Sequence, residues 1–191
     1  MRKLVATEYL TLEGVMEAPG SETSLGERGG WSFLFSSDEH RQFKFDELLA
    51  SDALLLGRVT YEIFAASWPS RTGEFADRMN GLPKYVVSTT LQKAEWNNSH
   101  LISDATHVVE EVVKLKQQPG KDILLTGSAD LMHTMRQHNL IDEYHFMVYP
   151  IVLGTGKRLF KDGNNTTLKL IKSQTFSTGV VVLIYQPDTK E

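Results

Sequence analysis

Three short stretches join a buried-looking apolar run to residues that bind anions, each where a strand gives way to a turn or helix. In the first, Leu54-Leu55-Leu56 ends at Gly57, and Arg58 and Thr60 follow. Glycine lets backbone approach a ligand closely. The first N–H groups of a helix favour negative charge, and arginine can grip a phosphate through two parallel hydrogen bonds. The same residues also read as a tight turn at Gly57 followed by a solvated arginine. In the second, Val86-Val87 runs into Ser88, Thr89 and Thr90. Those hydroxyls can hold a phosphate or ribose, or can simply cap and turn the chain. In the third, Ile123-Leu124-Leu125-Thr126 leads to Gly127-Ser128 and a helical pattern. That order can cradle a pyrophosphate. It also fits Ser128 as a helix N-cap with Asp130 complementing the dipole, and Asp130 would repel a phosphate unless its side chain points away. Three such junctions at the carboxyl ends of one sheet suit the two phosphorylated ends of a dinucleotide.

Other residue types give less. Asp38 and Glu39 open a helical pattern and are candidate acids, or else partners of the helix dipole. Asp46 and Glu47 read as the solvated face of that helix. His133 and His138 are five apart and do not share a helix face as metal ligands would, and His145 in a strand reads as a satisfied core histidine. No metal site is expected. Thr126-Gly127-Ser128-Ala129-Asp130 is not a nucleophile elbow, so hydrolase chemistry has no support. Trp31, Trp68 and Trp96 could wall a flat heterocycle or pack under loops.

The elements that must position these residues follow from periodicity. Strands are expected at 3–10, 52–57, 83–89, 99–103, 122–127, 142–153, 167–176 and 179–187, and helices at 36–51, 59–66, 104–117 and 128–138. Ser37 and Asp104 are the expected N-caps of the helices at 36–51 and 104–117, and Pro119-Gly120 closes the latter. Residues 14–37 form a long Gly- and Ser-containing loop of the kind that serves function. Residues 157–165 read as an exposed turn. Alternation followed by a terminal hairpin predicts an α/β fold: a mainly parallel mixed sheet, helices on both faces and a C-terminal antiparallel hairpin. Such sheets bind ligands beyond the carboxyl ends of their strands.

Length and composition set the frame. The 191 residues suit one domain spanning 1–191, and 41% hydrophobic with 23% charged residues is ordinary for a globular protein. A net charge of -4 argues against nucleic acid as a partner. With no cysteine there is no disulfide, thiolate metal site or cysteine nucleophile. Glu8 and Glu13 among the first apolar residues are unlike a secretory leader, and no stretch reaches the ~18 apolar residues of a membrane helix. A cytoplasmic protein is expected, with no membrane partner.

"LLLGRVTYE", "YVVSTTL", "LLTGSADLM" and "YPIVLGTGKRLF", in this order and spacing, resemble the dihydrofolate reductase-like family. The closest branch is the reductase domain of bacterial riboflavin biosynthesis and its stand-alone relatives, whose start motif is similar to "TLEGVMEAPG" with "GGWSF". The resemblance covers residues 2 to 187 and implies NADPH as cofactor. It implies that Gly57, Arg58 and Thr60 meet the 2'-phosphate and pyrophosphate side, and that Ser88 and Thr89 take the adenosine 2'-phosphate. Gly127-Ser128 stands where the family has Gly-Gly at the pyrophosphate, with Leu131 nearby. Ala6, Leu12 and Gly14 would flank the nicotinamide, and Val152-Leu153-Gly154-Thr155-Gly156 would line the cleft as a loop. The Trp-x-Leu-Pro segment of folate-reducing enzymes is absent, since Trp31 is followed by Ser32-Phe33. That leaves Asp38 and Glu39 as the candidate acids and puts dihydrofolate itself in doubt. The implied activity is hydride transfer to a pterin- or pyrimidine-type heterocycle or its ribosyl adduct, similar to 5-amino-6-(5-phosphoribosylamino)uracil reductase. Apart from the resemblance, a homodimer is expected, with a two-fold through the antiparallel edge that covers its exposed strands. The alternative is a non-catalytic nucleotide-binding or regulatory protein that kept the fold.

Overall fold

The most apolar runs make the most buried strands. In the computed structural model, which describes residues 1–20, 24–104, 106–160 and 165–188, Ser51–Gly57 forms β2 and Asp122–Thr126 forms β5. Leu55, Leu56, Ile123 and Leu125 are wholly buried, as strands covered on both faces require. The other strands are β1 (Leu4–Thr11), β3 (Lys84–Val87), β4 (Ser99–Ile102), β6 (Glu143–Tyr149), β7 (Leu168–Thr175) and β8 (Val181–Pro187). Their hydrogen-bonded order is β4-β3-β2-β5-β1-β6-β8-β7, a mixed and mainly parallel α/β sheet. The helices are α1 (Asp38–Ala50), α2 (Arg58–Ser67), α3 (Glu74–Gly81), α4 (Val108–Gln117) and α5 (Ala129–Gln137).

The chain forms two compact units. The first holds Met1–Ala6 and Lys44–Asp142. Within it β2 pairs in parallel with β3 and β5, and β3 with β4. The crossover through α2 and α3 moves one strand in one direction, and the crossover through α4 moves back past β2. Right-handed crossovers in opposite directions place these helices on opposite faces. On one face Leu54, Leu56, Val86 and Leu124 pack with Leu48, Tyr61, Met79 and Trp96. Val108, Val112 and Leu115 make the buried stripe of α4. Lys84 lies beneath this core: its Nζ donates to the carbonyls of Asn80 (2.7 Å) and Asn97 (2.9 Å) and sits 4.1 Å from the centre of the Trp96 ring.

The second unit holds Thr7–Phe43 and residues from Glu143 onward. Here β8 pairs antiparallel with both β6 and β7, the expected C-terminal hairpin. Its core gathers Trp31, Met147, Tyr149, Phe176, Val180 and Val182. Pro150 ends β6, because a proline cannot donate to the ladder. The long loop after β1 contains two short 3-10 turns, Gly26–Arg28 and Trp31–Phe35, and is pinned where the Trp31 indole N–H donates to the Glu17 carbonyl (2.8 Å). Residues 21–23 of that loop lie outside the described residues.

Four expectations need correction. Helix α3 was not anticipated: Glu74–Gly81 is only eight residues long, and its apolar positions Phe75, Ala76 and Met79 fall within little more than one turn, too short a run to establish a period. Asp104 is not an N-cap. Its carboxylate accepts from the backbone N–H and hydroxyl of Thr106 and from His107, which holds the chain in a turn so that α4 starts only at Val108; Ala105, in the expected helix, lies outside the described residues. Glu47 is buried, not solvated, and pairs with Lys44 one turn earlier, while Asp46 is exposed. The stretch 157–165 is not simply exposed, because Leu159 is buried and its N–H donates to the Gly14 carbonyl at 3.0 Å. Residues 161–164 of that turn lie outside the described residues.

Candidate functional site

In the first unit, two of the three strand ends meet. A Cβ on Gly57 would lie 2.5 Å from Ser128 Oγ, and one on Gly127 would lie 2.8 Å from Thr60 Cγ2. Each glycine is therefore seated on the hydroxyl residue of the other junction, which locks the starts of α2 and α5 together. Gly127 also has φ +67, a conformation open to glycine at little cost. Ser128 holds φ +61, and its hydroxyl accepts from the Leu131 N–H (3.3 Å), so it is the N-cap of α5. Gly57 caps α2 without a side-chain hydrogen bond. The first N–H groups of α2 are thus left to solvent or an anion. Arg58 stands on that first turn, partly exposed, with Nη1 2.9 Å from Glu62 Oε2. Asp130 is exposed.

At the β3 end, the Ser88 hydroxyl accepts from the N–H groups of Thr90 (3.2 Å) and Leu91 (2.9 Å), a turn-forming role, while Thr89 is exposed. Leu131 and Ala6 are buried.

In the second unit, the loop after β1 holds the loop after β6. Leu12 donates its N–H to the Ile151 carbonyl at 3.0 Å and leaves its side chain 64% exposed. One carboxylate oxygen of Glu13 accepts from the N–H of Leu153 (2.7 Å) and of Gly154 (2.9 Å). Glu17 accepts from the N–H of Lys157 (2.8 Å). Gly14 (φ +81) and Gly154 (φ +70) have open space where a Cβ would lie. The two candidate acids sit at the start of α1, after Ser37, whose hydroxyl caps the helix by accepting from the His40 N–H at 3.2 Å. The Asp38 side chain is almost wholly exposed and pairs with Arg41. Glu39 accepts from the Ser177 N–H (2.8 Å) and hydroxyl (2.5 Å), and these two hydrogen bonds hold its carboxyl below the ordinary glutamate range.

Beside them lies a cluster that single residues did not announce. His40 Nε2 is 2.8 Å from the Tyr9 hydroxyl and 3.4 Å from that of Tyr149. Tyr149 is fully buried, with Trp31 edge-on at 5.1 Å and Phe35 at 5.9 Å. Burial, and then the neighbouring Tyr9, push its phenol above the ordinary tyrosine range, so it stays protonated. The three residues come from β1, α1 and β6, more than thirty positions apart, so no spacing rule could join them. Glu13 gave no signal either, since its role is to bind backbone 140 residues away. His145 is satisfied by Glu143, 2.8 Å away.

The RibD C-terminal domain family matches residues 2–182. The uncharacterized protein YyaP of Bacillus subtilis (strain 168) is 32% identical over 190 residues, covering 96% of this chain and 94% of its own. Among solved structures, a protein from Shewanella sp. PV-4 assigned to riboflavin biosynthesis superposes with a TM-score of 0.73 at 16% identity, covering 97% of this chain and 99% of that one. A dihydrofolate reductase from Enterococcus faecalis complexed with NADP(H) gives 0.63 at 13% identity, covering 97% and 96%. These two likenesses show the dihydrofolate reductase-like fold, in agreement with the strand order above. With a match running from the first strand into the last, the chain belongs to the RibD C-terminal domain family.

Proposed function

We propose that the chain, acting as one domain over residues 1–191, is an NADPH-dependent reductase of a pterin- or pyrimidine-type heterocycle or its ribosyl adduct. The observation that carries this is the meeting of two strand-to-helix junctions through Gly57 with Ser128 and Gly127 with Thr60. It sets an uncapped helix start bearing a partly exposed guanidinium beside a second helix start. That donor set suits phosphate: backbone N–H groups, Arg58, and the hydroxyls at Thr60, Ser88, Thr89 and Ser128.

Arg58 would take the extra phosphate of NADPH by exchanging Glu62 for it. Ser88 and Thr89 would bind the same end, and Gly127, Ser128 and Leu131 the pyrophosphate. In the second unit Leu12, Gly14, Leu153 and Gly154 would flank the nicotinamide, with the loop held in place by Glu13; Ala6 belongs to the same set. When bound, the reduced nicotinamide supplies the hydride, so the protein need only bind, orient and exclude water. Glu39, held ionised by Ser177, suits an orienting or charge-stabilising role. The family membership supports the reaction class, and the exposed edge strand β7 supports a homodimer that covers it. A cytoplasmic setting accompanies this reading.

The test is oxidation of NADPH with dihydrofolate, dihydrobiopterin and 5-amino-6-(5-phosphoribosylamino)uracil, beside the binding of NADPH and NADH. Turnover with a member of the panel supports the reductase. Tight cofactor binding with no turnover across the panel favours the non-catalytic alternative. Arg58→Ala is expected to weaken NADPH about 10- to 100-fold, the loss of a charged hydrogen bond of ~1.5–3 kcal/mol, and to leave NADH within threefold. Equal losses for both would move Arg58 away from the 2'-phosphate.

A further inference from the structure

Reduction of a C=N bond by two electrons adds a hydride at carbon and needs one proton at nitrogen. The acids expected to supply it are poorly suited: Asp38 is almost wholly in water and paired with Arg41, and Glu39 is held ionised by Ser177. The structure holds a different protic assembly one residue further along α1. We infer that the Tyr9 hydroxyl delivers this proton, and that His40 and Tyr149 position it. The inference rests on the reductase reading and deepens it.

Three features carry it. First, Tyr9 is only half-buried, on β1, whereas Tyr149 lies beneath the aromatic wall of Trp31 and Phe35. Of the two phenols, Tyr9 is the one a ligand can reach. Second, Tyr149 stays protonated and therefore acts as a donor; its O–H and the His40 Nε2–H both lie where a negative Tyr9 oxygen would accept. Two donors on one phenolate oxygen stabilise the charge left when Tyr9 gives up its proton. Third, His40 Nε2 lies 2.8 Å from the Tyr9 hydroxyl while its Nδ1 is buried away from water, so the ring fixes the phenol in place and the half-buried Tyr9 itself regains its proton from solvent.

The balance is complete. The substrate carbon gains a hydride from a reduced nicotinamide, the C=N π pair moves to nitrogen, and that nitrogen takes the Tyr9 proton. The Tyr9 oxygen then takes a proton from the water that enters as product leaves.

The experiment uses the whole chain and whichever panel compound the wild type reduces. Tyr9→Phe keeps the ring and removes the proton. It is expected to lower kcat about 100-fold, as for loss of a general acid, with KM and NADPH binding within threefold. His40→Gln is expected to lower kcat less and to retain the solvent deuterium isotope effect of proton delivery, which Tyr9→Phe loses. As a readout apart from turnover, the His40 side-chain nitrogen signals in NMR are expected to shift on Tyr9→Phe. An active wild type with Tyr9→Phe within threefold in kcat, or unmoved His40 signals, overturns the proton assignment alone. A wild type inert toward the whole panel refutes the reductase reading itself and the assignment with it.

Discussion

Replacing Gly57 by alanine tests the contact on which the phosphate end depends. The new Cβ would stand 2.5 Å from Ser128 Oγ, where carbon and its neighbours prefer about 3.5 Å or more. An overlap of about 1 Å must be relieved by moving the start of α5 or the end of β2, both packed. Overpacking of this kind costs about 1–3 kcal/mol. For a chain of this size each kcal/mol lowers Tm by about 2–4 °C, so Gly57→Ala should melt about 2–12 °C below wild type. Ser128→Gly removes the obstructing atoms. Alone, it also relieves the left-handed φ of +61, where an L residue carries a penalty of about 1–2 kcal/mol, and loses a cap at a cost of a few tenths. It should therefore be neutral or more stable by about 1 kcal/mol. In the double variant the alanine finds space, so the pair should recover most of the loss, with a coupling of about 1–3 kcal/mol. Thermal and urea melts of the four proteins give the cycle. Additivity to within about 0.5 kcal/mol, or a Gly57→Ala protein as stable as wild type, would refute the reasoning.

Three other outcomes follow from the same geometry. Burial lowers the Lys84 pKa to about 8, so between about pH 8 and the ordinary lysine value the unfolded chain binds more protons and stability gains from Lys84 as pH rises. Lys84→Met should be less stable by about 1–3 kcal/mol at pH 7, with the Asn97 carbonyl left unpaired, and should lack that alkaline gain in urea melts at pH 7 and 9.5. Glu39 has the opposite sign: its folded pKa lies below the unfolded one, so its contribution is present above the ordinary glutamate range and is lost as pH falls through the folded value. A Glu39→Gln protein should thus trail wild type at pH 6 and match it in strong acid, as urea melts at both pH values will read. Glu13→Ala deprives Leu153 and Gly154 of their acceptor; faster amide exchange at those two positions, with NADPH binding weakened about tenfold, is expected, and unchanged exchange would show that other bonds hold the loop.

Much of the fold was legible because its central strands are extreme. Leu54-Leu55-Leu56 and Ile123-Leu124-Leu125 alternate with nothing, and only a strand covered on both faces needs that pattern. Helix α3 was illegible for the converse reason, since Phe75, Ala76 and Met79 fall within little more than one turn and cannot establish a period. Asp104 misled because a carboxylate that caps a helix and one that closes a turn have the same sequence surroundings. At the site, the glycines invited a choice between ligand approach and turn. The structure adds a third cause, a side chain from the other junction, which no local pattern could reveal. Tyr9, His40 and Tyr149 were hidden because their relation exists only after three separate elements come together.

The reciprocal seating of Gly57 on Ser128 and of Thr60 on Gly127 has a meaning for descent as well as for binding. Sites so joined cannot drift singly: a lineage that acquires a side chain at 57 must first have surrendered the one at 128. Inheritance at these four positions should therefore move in linked steps, long after the rest of the surface has diverged.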